Sequence, residues 1–196
     1  MSPIGRLLDW LAVHYNLLFI VSAGNHPEPL TIPAAAAESI KSARTAATQA
    51  SFDKSLLKGI LPPGDAMNVL TVGAAHSDNS GVIEPNDAVW DINLPDAPSH
   101  YGARGPGVDR SVKPDLHHTG GRSLYVRPVI APGQKEVALE LAPTLATGPG
   151  VQVAAPSSTG ATNKTVFTFG TSNATALVTR EASRLFDVLE AGAQNN

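Results

Sequence analysis

Ser172 is the residue of this chain best suited to nucleophilic chemistry. It stands in Phe169-Gly170-Thr171-Ser172-Asn173-Ala174-Thr175-Ala176-Leu177, where a β-rich, turn-rich run meets an apolar-periodic segment. Ala174, Leu177, Val178, Ala182, Leu185, Phe186 and Leu189 recur at three- and four-residue steps, which is one face of a helix. Gly192 lies where a C-terminal cap is expected. A serine at the first turn of that helix sits where unpaired backbone N–H groups and the positive end of the dipole collect. Its own N–H is then free to bind the oxygen that turns negative when its hydroxyl attacks a carbonyl. The same place also suits a serine that only caps the helix, and this stretch alone leaves both readings open.

A second chemically able cluster is Ser22-Ala23-Gly24-Asn25-His26-Pro27. It follows Leu17-Leu18-Phe19-Ile20-Val21, an uninterrupted apolar run that reads as a strand buried on both faces. Open α/β sheets gather their ligands at the carboxyl ends of their strands, where this loop lies. This loop is the second place where chemistry could lie, although an asparagine after glycine equally suits a plain turn. His117-His118 invites a metal reading; adjacent ligands without a carboxylate partner favour a solvated loop pair instead, and no metal site is expected.

Around these clusters the chain supplies elements that could position them. Ser2-Pro3 opens a helix whose apolar face runs through Ile4, Leu7, Leu8 and Leu11 toward Tyr15. Ala34 to about Phe52 is alanine-rich with scattered charges and reads as a largely exposed helix. Asn68 to Ala74 is a second buried strand, Ser77 to Gly107 is loop-like with a short strand near Val89–Ile92, and Val112 to Leu116 is extended. From Ser123 to Ala155 the alternation suggests two or three antiparallel strands, a small β insertion over about 122–155. Val166 to Phe169 then delivers the chain to Ser172.

Composition narrows the function classes. The 196 residues suit a single domain, and 42% hydrophobic content is enough for a real core. Only 16% of residues are charged, the net charge is −3 and no basic stripe exists, so nucleic acid is not an expected partner. There is no cysteine, which excludes disulfides and thiol catalysis. No apolar run approaches the ~20 residues of a membrane span, and Met1-Ser2-Pro3 leads into a helix rather than a secretory leader. Localisation stays undetermined, with the cytoplasm slightly favoured. Nothing in the composition calls for a cofactor.

Four blocks occur in one order: Phe19-Ile20-Val21-Ser22-Ala23-Gly24-Asn25, Asn68-Val69-Leu70-Thr71-Val72-Gly73-Ala74, Val112-Lys113-Pro114-Asp115-Leu116, and Gly170-Thr171-Ser172-x-Ala174. Each is weak alone; together, across nearly the whole chain, they resemble the subtilisin-like serine peptidases, the subtilases. The resemblance implies an α/β fold with a parallel sheet flanked by helices, residues 1–196 forming a single domain that is incomplete on its N-terminal side. It implies a serine endopeptidase acting on polypeptide. Ser172 matches the nucleophile that forms an acyl-enzyme, and Asn25 matches the oxyanion-hole asparagine. Ser22, Ala23 and Gly24 would line one wall of the pocket for the residue before the scissile bond, with Gly170 and Thr171 also against substrate. Gly73-Ala74 and Lys113-Pro114-Asp115 look like scaffold.

Two departures stand beside the nucleophile: Asn173 where the family usually has methionine, and Ala176 where it has proline. A larger one is that the family's aspartate and histidine precede the Asn25 block. Here Asp9 and His14 lie on a helical run with the wrong surroundings, while His26, His76, His100, His117 and His118 all follow Asn25. The chain alone is therefore expected to be inactive. Its expected partners are the N-terminal remainder of the peptidase domain or, in isolation, a second copy. Two other classes compete: a non-catalytic subtilase-like module that binds a peptide or partner, and an unrelated serine esterase. The lack of a Gly-x-Ser-x-Gly elbow counts against the esterase.

Overall fold

The computed structural model of the chain describes residues 1–81, 88–143, 148–157 and 159–194. Residues 82–87 of the expected loop-like stretch and 144–147 of the expected insertion lie outside them. The first helix, α1 (Pro3–Tyr15), starts where the sequence says it should. Ser2 Oγ accepts from Gly5 N at 3.0 Å, Pro3 fills the position that needs no N–H, and Asn16 turns left-handed to end it. Two carboxylates pin α1 to the segment entering the sheet. Asp65 accepts from Ser2 Oγ at 2.8 Å, and Asp9 accepts from Met67 N at 3.1 Å and Asn68 N at 2.6 Å.

The sheet that organises the site is parallel, in the order β1 (Phe19–Ser22), β3 (Val69–Ala75), β5 (Leu116–Thr119). Phe19 pairs with Val69 and Ser22 with Val72; on the other side Val72 pairs with Leu116 and Ala75 with Thr119. The central strand β3 is buried along almost its whole length, as a β-branched apolar run in a parallel sheet should be. The long helix α3 (Thr171–Gln194) packs its first half across all three strands. Val72, Ala174 and Val178 form the centre of that layer, with Ile20, Leu70 and Leu116 around them. Fully burying a side chain such as Val72 contributes roughly 1.5–3 kcal/mol.

A larger apolar cluster lies beside this sheet. The ribbon of β2 (Leu30–Pro33) with β7 (Glu136–Leu139) and that of β4 (Val89–Trp90) with β6 (Tyr125–Val126) enclose Leu30, Ile32, Trp90, Ile92, Tyr125 and Leu139. A third ribbon pairs β8 (Val151–Ala155) with β9 (Lys164–Thr168) and feeds the chain directly into α3.

Four expectations need correction. The run at Leu17 is not buried on both faces: β1 begins at Phe19, is half-buried and is an edge strand of the sheet, while Leu17 and Leu18 are exposed. The alanine-rich stretch is not largely exposed. A 3-10 turn (Ala34–Glu38) and α2 (Ile40–Asp53) press Ala34, Ala37, Ala43 and Ala47 into the larger cluster, because methyl side chains let a helix backbone approach the β2–β7 ribbon closely. His117 and His118 are not loop residues but lie on β5. Gly192 does not end α3, which continues to Gln194. In the 122–155 stretch, β6, β7 and β8 are antiparallel, each pairing with a strand outside the segment.

Candidate active site

Asn25 follows β1 at its carboxyl end, and Ser172 is the second residue of α3; both side chains are exposed. Although Asn25 and Thr171 are 146 positions apart in sequence, Thr171 N donates to Asn25 Oδ1 at 3.1 Å and Thr171 Oγ1 donates to the same oxygen at 3.1 Å. Thr171 Oγ1 in turn accepts from Gly24 N at 3.3 Å. These contacts settle which way the Asn25 amide faces. A backbone N–H can only donate, so the oxygen must lie toward Thr171 and the Nδ2 group, with its two hydrogens, toward the open side.

Gly170 shows what lies between the two donors. A Cβ at this residue would sit 3.4 Å from Asn25 Nδ2 and 3.9 Å from Ser172 N. Because Gly170 has none, that space is empty, flanked by one side-chain and one backbone donor. Two neutral N–H groups bordering a gap of this size can bind a single oxygen that acquires negative charge. The Ser172 side chain makes no hydrogen bond with any described residue, which leaves its oxygen available.

The loops that hold the two donors are themselves tied in several places. Ala23 N donates to Val72 O at 2.9 Å, so the loop continues the β1–β3 ladder for one more residue. Gly24 has φ +108°, a conformation that L side chains rarely adopt, and its Cα faces Leu61, whose Cγ would lie 2.6 Å from any Cβ there. Leu61 N donates to Ala23 O, Ala103 N to Gly24 O and His26 N to Tyr101 O, at 2.9, 2.9 and 2.7 Å. On the other side, Gly170 N donates to Gly120 O at 2.8 Å. Asn173 anchors the same turn: its Nδ2 donates to Thr168 O at 3.1 Å and to Thr168 Oγ1 at 3.0 Å. The asparagine that stands in place of the usual methionine thus replaces apolar packing with a polar clamp onto the end of β9.

The sequence candidates divide accordingly. Asn25, Gly170, Thr171 and Ser172 converge, and Gly24 joins them through its N–H to Thr171. Ser22 is the last residue of β1, half-buried, with its carbonyl 2.9 Å from where a Gly64 Cβ would be; Ala23 is fully buried, its N–H and C=O taken by Val72 and Leu61, so it presents no group to a substrate.

No described histidine hydrogen-bonds to Ser172. His14 stacks on Trp10, His26 Nε2 lies 2.8 Å from Gly59 O, and His76 faces Asp91 with Nε2 2.9 Å from Oδ1. His100 is buried, and burial, then the positive Arg104 and Lys58, hold its ring at about 4. His117 is likewise pushed down by burial and by Arg104. Among the described residues there is no group of three or more histidine or carboxylate side chains that could hold a metal ion. Sequence reasoning missed Tyr101, which acts through residues far away in the chain, and the clamp role of Asn173, which depends on how the turn brings it back onto Thr168.

Comparison with known proteins gives the setting. The family described as the subtilase family matches residues 3–193. An uncharacterized protein of Sinorhizobium fredii, y4bN, is 35% identical over 129 residues, which are 63% of this chain and 27% of that protein. The chain thus aligns with only about a quarter of that relative's length. No solved structure matches.

Proposed function

The chain belongs to the subtilase family, and on that premise we propose that it carries the nucleophile and the oxyanion-binding part of a serine endopeptidase. Ser172 Oγ attacks the carbonyl carbon of a peptide bond. The π electrons move onto the carbonyl oxygen, which Asn25 Nδ2–H and Ser172 N–H stabilise, and the serine proton passes to a base. That base returns the proton to the leaving amine, and water then releases the acyl group by the same route. Ser22 and Gly24 form one wall for the residue before the cut bond, with Gly170 beside it; Ala23 and Thr171, both fully buried, support that wall from behind. The observation that carries this reading is the Thr171 pair of hydrogen bonds on Asn25 Oδ1, which turns the free amide hydrogens toward the gap next to Ser172 N.

The base is the part that the described residues do not offer, since no histidine among them hydrogen-bonds to Ser172. In this reading the histidine and its aspartate come with further polypeptide of the same peptidase domain, added to the open edge of β1. A serine hydroxyl without its base is hardly ionised at neutral pH, and in subtilisin itself loss of the histidine lowers kcat by about two million-fold. The purified chain should therefore hydrolyse a fluorogenic peptide no faster than its Ser172→Ala variant. Turnover by the chain that Ser172→Ala abolishes would overturn the division of labour. The same missing contact favours a second reading, a module that binds peptide without cutting it. The two part when a polypeptide bearing the family's aspartate and histidine is added: peptidase activity supports the first, and stable binding without turnover the second.

A further inference from the structure

Tyr101 lies at the junction of the two strands of chain that form the gap. Its backbone belongs to the Asn25 side: Tyr101 O accepts from His26 N at 2.7 Å, and the next residue, Gly102, bridges to Asn25. Its ring belongs to the Ser172 side, stacked at a tilt on Phe169 with the centroids 5.2 Å apart. The residue is buried, at 2% exposure, so it makes no contact with solvent-borne ligands. Its hydroxyl feels the Ser99 side chain and the Gly170 backbone but meets neither in full hydrogen-bond geometry. Burial pushes this hydroxyl up to about 12, so it stays protonated; the two neighbours pull the other way, as donors facing its oxygen do, and on the Gly170 side that donor is the backbone N–H.

A buried hydroxyl without a completed hydrogen bond is unfavourable, and phenylalanine at this site would avoid the cost. Hydrogen bonds around a reacting centre are often long when the site is empty and tighten when it fills. The inference rests on the reading of Asn25 and Ser172 as an anion hole. We propose that Tyr101 is a positioning residue for that hole: as an anionic oxygen enters, its hydroxyl oxygen closes onto the Gly170 N–H, sharing it with Gly120 O, and fixes the Gly170–Ser172 turn at the right distance from Asn25. The ring and backbone couple the two loops at rest, and the hydroxyl acts only in the filled state.

The test uses the whole chain, 15N-labelled, titrated with N-acetyl-trialanine, whose terminal carboxylate presents an anionic oxygen in the place of a cleavage product. In the wild type the Asn25 side-chain amide and the Ser172 amide signals should shift together on one saturable curve. In Tyr101→Phe the spectrum of the free chain and its melting temperature should stay the same or rise slightly, while binding weakens about three- to tenfold, the size of one lost hydrogen bond. A Tyr101→Phe curve that superposes on the wild type would overturn the proposal. So would loss of the fold in that variant, which would assign the hydroxyl to stability. If neither signal moves in the wild type, the anion-hole reading fails first and the role of Tyr101 goes with it; that result is distinguished by its appearance before any substitution is made.

Discussion

His100 shows at the scale of one residue how surroundings fix a protonation state. Its N–H donates to Asn93 Oδ1 at 3.4 Å, its carbonyl accepts from Lys58 Nζ at 2.6 Å, and its ring meets Tyr125 edge-on. Burial, then Arg104 and Lys58, lower the ring to about 4. In the unfolded chain a histidine takes up its proton near 6.5. Between those values only the unfolded state gains a proton, so stability is intact above about pH 6.5 and falls as the pH drops toward 4. At pH 4.5 the loss from this residue should be about 2–3 kcal/mol. Urea midpoints at pH 7 and pH 4.5, for the wild type and His100→Gln, measure it. The variant should lose much less between the two values, and equal losses would show that His100 is charged in the fold. The burial was not legible in Pro98-Ser99-His100-Tyr101, and of the two cations only Arg104 is near in sequence; Lys58 comes from 42 positions away. Ser172 and Asn25 were legible, since the types and order of their neighbours carry a pattern by themselves.

At the scale of elements, α2 is the instructive case. Its helical nature was readable from alanine content, but its burial was not. Alanine contributes little to a hydrophobic pattern, so a face of Ala43, Ala47 and Ser51 looks the same in sequence whether it meets water or a sheet. The structure has Ala43 and Ala47 at 0% exposure against the β2–β7 ribbon. Ala47→Leu should therefore destabilise the chain by about 1–3 kcal/mol through overpacking. Lys41→Leu on the exposed side of the same helix should change stability by no more than about 0.5 kcal/mol. Denaturant midpoints for the two variants decide the matter: equal midpoints would mean that α2 is not packed as described. The β1 run failed in the opposite direction. Five consecutive apolar residues read as a strand covered on both faces, yet among the described residues only β3 pairs with it, and its side chains are half-buried.

That edge becomes a property of the whole molecule. Ile4, Leu7, Trp10 and Val13 recur along α1 at three-residue steps, all more than two-fifths exposed, and Leu17 and Leu18 continue the exposed apolar surface into β1. A strand edge with unpaired N–H and C=O groups beside such a surface recruits other strands. The isolated chain is accordingly expected to self-associate, or to be only marginally stable until further polypeptide of the domain covers the edge. Light scattering across a hundredfold range of concentration tests this. The apparent mass should rise with concentration, and Trp10→Glu combined with Leu18→Lys should return it to that of a monomer. A concentration-independent monomer that unfolds cooperatively at an ordinary temperature would remove the expectation.

The sequence by itself determined the family, the ordered blocks and the helix whose first turn holds Ser172, because each is written in local residue types and short spacings. Ser2-Pro3 set the start of α1, and β-branched runs set β3, for the same reason. Only the tertiary structure decided that Thr171 turns the Asn25 amide by donating to its oxygen, and that Tyr101 joins the two sides of the gap. Those are pairings between chain segments as much as 146 positions apart. They exist because folding closes the loops between them, and no local propensity encodes which distant donor a side-chain oxygen will meet.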